Sequence, residues 1–235
     1  MSSILKTKAM RNVCKGNTSA YYSYVEEKTG QNPVIQQFEK ELNDYIGFVK
    51  KKNAGLLKPG EHAPCKVSDA LFDIWNKFEP RVSTRFFNQK LMELGEFLVK
   101  HKEYSTASWQ CYDRYLNNFA NVNLELIKNL TDFKSNFFSN GILAENSDVT
   151  FRALMGHCIC MYHFTIAQDS KLQTKYAIQQ LNEIFRFMRL IMQLLLEVDH
   201  YCWLVYNATI YIYTMSRYVM QFGHSKMVCC SHTLN

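Results

Sequence analysis

The clearest spacing of apolar positions begins at Asn32-Pro33. Ile35, Phe38, Leu42, Tyr45 and Val49 follow at intervals of 3, 4, 3 and 4, which puts them on one face of a helix. Asn32 suits its N-cap and Pro33 its first turn, where the missing N–H has no partner to lose. The helix is expected to end in the lysine run near Asn53. Gly55–Cys65, with Pro59 and Pro64, reads as a loop. Ser68 or Asp69 then caps a short helix with Leu71, Ile74, Trp75 and Phe78 inward, and Pro80 stops it. A longer helix is predicted over about Ser83–His101, with Phe87, Leu91, Leu94 and Leu98 on one face. Others follow over about Tyr104–Phe119 and Asn123–Leu130, and Phe133–Gly141 reads as a break. Beyond it, helices are predicted from Ser147 or Asp148 to about Gln168, over Lys171–Leu196 and over Val198–Phe222. No alternation of period two lasts long enough for a strand. The expected fold is all-α, built of antiparallel helical hairpins joined by short loops.

The last of these stretches organises the reading. From His200 to Ser216 there is no Asp, Glu, Lys or Arg, and the apolar residues point all round the helix. A helix of that kind belongs in a core, a stack of helices or a bilayer. Asp199, His200, Asn207 and Arg217 interrupt it, and its charge-free part falls short of the about 20 residues that span a membrane, so a membrane partner is not expected.

A second pattern lies in Leu91–Arg114. Leu94-Gly95, Leu98, Tyr104, Ala107 and Cys111 are spaced as in a tetratricopeptide unit, with Gly95 and Ala107 small where two helices would cross and larger residues beside them. An ordinary helical hairpin could match the same spacing. Met215-Ser216, Val219, Gly223 and Val228 form a weaker second copy that the chain does not complete. The expected organisation is a disordered basic arm over 1–18, a tetratricopeptide-like α-solenoid segment over 19–222, and a truncated repeat with an aberrant tail over 223–235. Such a helix without its neighbour leaves apolar surface open, so the chain alone is expected to aggregate or need a partner.

Composition narrows the class. Proline (4) and glycine (9) are scarce in 235 residues, which favours long helices over many short strands. The net charge of +6 is uneven: residues 1–100 hold 16 Lys+Arg against 11 Asp+Glu and the remainder 11 against 10. Lys6, Lys8, Arg11 and Lys15, and Lys50–Lys52 with Lys58, carry the excess. These read as a solvated tail and a helix end, or as contacts to an acidic partner such as a microtubule or nucleic acid. The eight cysteines include no CxxC pair, and lysines follow Ile4-Leu5 too soon for a secretory leader, so a reduced, cytosolic compartment is expected.

Candidate chemistry is sparse. His157, Cys158, Cys160 and His163 invite a metal reading, but positions 157 and 163 diverge on one helix, which cannot close a tetrahedral site. Small buried cysteines and satisfied core histidines are the better account. Ile184–Leu196 is basic on one side with Phe185, Met188, Met192 and Leu195 on the other, as in a calmodulin target or in a buried helix with snorkelling arginines. No Gly-rich phosphate loop, G-x-S-x-G or HExxH occurs. No residue is nominated as catalytic, cofactor-binding or metal-ligating, and no enzyme activity is expected. A site assembled between helices stays open as the lesser alternative.

The segments NPVIQQFEKELNDYIGFVKK, LFDIWNKFEPR, LGEFLVKHKEYSTASWQCYDRYL and CWLVYNATIYIYTMSRYVMQFGHSKMV resemble the N-terminal region of the cilia- and flagella-associated protein 54 family, from about Tyr21 to Met227. The resemblance implies a non-enzymatic helical scaffold of the axonemal central apparatus, in the cytoplasm, cytoskeleton and cilium. It implies a role in assembling a central-pair projection and in beating of cilia and sperm flagella. The implied partners are other central-apparatus scaffold proteins, with calmodulin and microtubules as further candidates and no nucleic acid. After Met227 the chain reads VCCSHTLN where the family continues into another apolar helix, which points to a short or truncated form. The rival reading is a general cytosolic repeat-type adaptor that binds a partner peptide.

Overall fold

The computed structural model describes residues 32–57, 67–119, 127 and 129–223. The expected basic arm over 1–18 and the tail beyond Gly223 lie outside the described residues, as does most of the helix expected over Asn123–Leu130. Among the described residues every regular element is helical. The chain divides into two compact units, Met1–Phe87 and Asn88–Asn235.

In the first unit, α1 (Pro33–Asn53) packs against α2 (Val67–Phe78). The Asn32 side chain accepts from the Val34 N–H and caps α1 as its spacing predicts. Three lysines occupy its last turn, where cations suit the helix dipole. Ile35, Phe38, Leu42, Tyr45 and Val49 are all buried. The centre is aromatic: Phe38 lies 5.3 Å from Phe78 and 5.8 Å from Trp75, and Trp75 meets Phe87 edge-on at 5.1 Å. Lys77 of α2 pairs with Glu41 of α1 at the surface. A 3₁₀ turn (Glu79–Arg81) holding Pro80 ends α2.

The second unit begins within α3 (Thr84–Lys100). After a turn at Lys102, where φ is +62°, comes one helical rod in three parts: α4 (Tyr104–Ala107), a π-helical stretch (Ser108–Tyr112) and α5 (Asp113–Leu116). Then follow α6 (Leu130–Phe137), α7 (Ser147–Gln168), α8 (Lys175–Leu195), a 3₁₀ turn (Asp199–Tyr201) and α9 (Cys202–Gln221). The helix enclosed on every side is α7, with Val149, Phe151, Ala153, Leu154, Cys158, Ile159, Cys160 and Tyr162 buried. The α4 to α5 rod, α8 and α9 all pack on it.

The rod ends at Leu116 rather than Phe119, and α9 begins at Cys202 rather than Val198, after its 3₁₀ turn. Two further boundaries differ from expectation for local reasons. Phe133–Gly141 is not a break at its start: Asn129 caps α6 by accepting from the Asp132 N–H at 2.8 Å. Phe133 and Phe137, four residues apart, then bury one face against Phe187 of α8. The second is α8, which starts at Lys175 rather than Lys171. Asp169 accepts from the backbone N–H and the hydroxyl of Thr174, and Leu172 takes φ +54°, so residues 169–174 form a closed turn. Thr174 in turn caps α8 through the Ala177 N–H.

Candidate functional site

The Leu91–Arg114 pattern becomes a tight helix crossing. Leu94, Leu98, Ala107 and Cys111 are buried, and the room left by Gly95 is taken by the ring of Tyr112. A Cβ at Gly95 would lie 2.8 Å from that ring, and one at Gly156 of α7 only 2.2 Å from it. Tyr112 is therefore clamped between two glycines from two helices. Gly156 gave no signal in the sequence, because its partner lies on a distant part of the chain. The π turn ends at this contact: the Asp113 N–H reaches back to the Ser108 carbonyl, the five-residue step of a π bulge.

A short polar relay joins the rod that carries Tyr112 to α7. Ser108 donates its hydroxyl to Asp113 Oδ2 at 2.8 Å, and His157 Nδ1 meets Asp113 Oδ1 at 2.7 Å. A carboxylate only accepts, so Nδ1 carries the proton. The carboxylate sits in the middle and takes both hydrogen bonds. Nucleophile activation needs the hydroxyl to face the imidazole, so this order of groups ties helices rather than primes Ser108. Nearby, Arg152 donates to Glu96 at 2.7 Å beside a cavity of about 160 Å³ that Tyr112, Gly156, Trp203, Asn207 and Tyr211 also line.

The four residues with metal-like spacing separate. His157 goes to Asp113, and His163 stacks on Tyr104 with ring centres 3.8 Å apart. Cys158 and Cys160 are fully buried, and burial pushes the Cys160 thiol up to about 12. Cys111 and Cys158 are raised further for the same reason. Among the described residues no cluster of three such ligands forms.

Ile184, Phe185, Phe187, Met188, Ile191, Leu194 and Leu195 bury the apolar face of α8 in the unit's own core. Arg186 pairs with Glu183 and donates to the Ile127 carbonyl. The opposite situation holds on α9. Leu204, Ala208, Met215, Ser216 and Val219 are buried, while Trp203, Tyr206, Ile210, Tyr213 and Met220 stand exposed. This open aromatic face is the most distinctive surface of the second unit. No helix among the described residues is long and apolar enough to cross a membrane.

The fold and this surface define a class: an all-α protein of packed helices with an uncovered aromatic helix face. Comparison with known proteins specifies the family. A family model described as Cilia- and flagella-associated protein 54 matches residues 60–230. The mouse protein named Cilia- and flagella-associated protein 54 is 37% identical over 212 residues, covering 88% of this chain and 7% of the relative. Its human counterpart is 37% identical over 210 residues, with the same coverage. The chain belongs to the cilia- and flagella-associated protein 54 family, and it spans about 7% of the length of these relatives. No solved structure matches it.

Proposed function

We propose that this chain acts in the ciliary and flagellar axoneme as a non-enzymatic helical scaffold segment of the central apparatus. In this reading it is needed to assemble a projection on the central pair and for the beating of cilia and sperm flagella. The observation that carries the reading is the family match over residues 60–230 to proteins named for cilia and flagella. The physical features are compatible with it. The most prominent uncovered feature is a helix face, and large aromatic side chains on such a face are typical of protein interfaces. The second unit stacks as a solenoid segment whose neighbours are other scaffold proteins of the central apparatus. Microtubules are proposed to meet the basic residues Lys6, Lys8, Arg11 and Lys15, and calmodulin is a further candidate. The apolar face of α8 is already buried, so calmodulin would dock elsewhere or require α8 to leave the core.

Disruption of the gene in ciliated cells tests this reading. Axonemes are expected to form with a central pair that lacks one projection by electron tomography, and beating is expected to be weak or uncoordinated. Normal beating with a complete central apparatus would contradict it, and a stable partner recovered from cells without cilia would favour the general adaptor.

A further inference from the structure

Three helices each turn a pair of residues four apart, and so on one face, to the same small cavity. Glu96 and Lys100 come from α3, Arg152 and Gly156 from α7, and Asn207 and Tyr211 from α9. Tyr112 of the π stretch lines it as well. The polar groups there are mostly donors without a partner. Among the described residues, the hydroxyls of Tyr112 and Tyr211, the Lys100 ammonium and the Asn207 amide meet no hydrogen-bond partner in the protein. Arg152 uses only its Nε, on Glu96 at 2.7 Å, which leaves the hydrogens of both Nη atoms. Tyr112 is 1% exposed and the Arg152 side chain 14%, so neither is simply solvated at the surface. Burial raises the pKa values of both phenols, so both keep their protons and can donate. The one carboxylate, Glu96, already has an oxygen on Arg152.

We infer that this cavity binds a tetrahedral oxyanion of the phosphate-monoester class, held by the Nη groups of Arg152 and by Lys100, with Tyr112, Tyr211 and Asn207 on its remaining oxygens. A guest must supply acceptors, because the groups left open are donors, and buried donors without a partner are costly. Arg152 and Lys100 against Glu96 leave one positive charge, which suits an anion. Glu96 fixes the guanidinium through Nε and leaves the Nη pair for a two-pronged contact with oxygen, the strongest kind a guanidinium makes. Five donor groups on four elements exceed what the two oxygens of a carboxylate need and match a phosphoryl group better. The size agrees: about 160 Å³ is room for about five waters at roughly 30 Å³ each, and a phosphate has five heavy atoms.

Isothermal titration calorimetry of the whole chain with inorganic phosphate and, separately, with O-phosphoserine tests this, at an ionic strength held constant with sodium chloride. A dissociation constant on the order of 1 mM is expected for a small guest held by a few charge-assisted hydrogen bonds. Lys100→Ala and Tyr112→Phe should each weaken binding at least about threefold. Both should keep the melting temperature, since Lys100 is exposed and phenylalanine leaves the ring between Gly95 and Gly156 in place. Arg152→Gln should abolish binding, but it also breaks the pair with Glu96, so the other two variants carry the test. Tighter binding of O-phosphoserine than of inorganic phosphate would put the group on a phosphorylated side chain, and the reverse order would make free phosphate the ligand; either result supports the site. No saturable binding up to about 20 mM, some twentyfold above that constant, or binding that neither Lys100→Ala nor Tyr112→Phe weakens, would overturn the inference.

Discussion

The residues that do most to determine the second unit are small or aromatic. Tyr112 occupies space that exists only because Gly95 and Gly156 lack side chains. Gly156→Ala is expected to destabilise the protein by about 1–3 kcal/mol, since the ring must move within a packed core. Pairing it with Tyr112→Leu should recover part of the loss, which denaturant titration of the single and double variants would measure. His163 supplies a pH dependence. Burial, then the nearby Lys102 charge, lowers its folded pKa below the ordinary 6.5. The folded state thus binds fewer protons than the unfolded one, so stability falls as pH drops below about 6.5 and levels off below the folded pKa. His163→Phe should keep the stack on Tyr104 and flatten the melting temperature between pH 7 and 5. Cysteine labelling offers a third check at this scale. Exposed Cys202 should react quickly with a thiol reagent, while Cys111, Cys158 and Cys160, buried and with raised pKa values, should react only on unfolding.

Among the elements, α1 shows how much local spacing can determine. Its cap, first proline, apolar face and lysine-rich end all agree, and the helix forms at the expected residues. Where local signals compete, the sequence is less legible. Asn and Ser around 135–140 suggest turns, yet Phe133 and Phe137 gain more from packing on Phe187 than those residues lose by being helical. The cap at Thr174 was hidden by Asp169, whose role depends on a turn that closes only in the folded chain. Thr174→Ala is expected to cost about 1 kcal/mol, measured by thermal or denaturant melting. The π stretch had no readable signature, because it serves a contact with a glycine on another helix. The contrast of α7 and α9 teaches most. The apolar residues all round α9 led to the expectation of a helix without its neighbour, and one side of α9 is open, while α7, which drew no such expectation, is the enclosed helix. Hydrophobicity reports that a surface will be covered and not by which molecule.

For the whole molecule, fold class and family were both legible: the helices have clear periods, and the aromatic segments around 32–52 and 201–228 are distinctive. The polar relay of Ser108, Asp113 and His157 was not, since it joins residues 44 positions apart. In that relay the carboxylate stands between the hydroxyl and the imidazole, and the two histidines of α7 go to different partners. The central claim is that the chain works as part of an axoneme. It is tested most directly by tagging the protein at its own locus in ciliated cells, extracting the membrane and soluble matrix with detergent, and imaging what remains. The account predicts that the tag stays with the extracted axoneme, along the central pair. A tag that leaves entirely with the soluble fraction, with axonemes unlabelled, would contradict it.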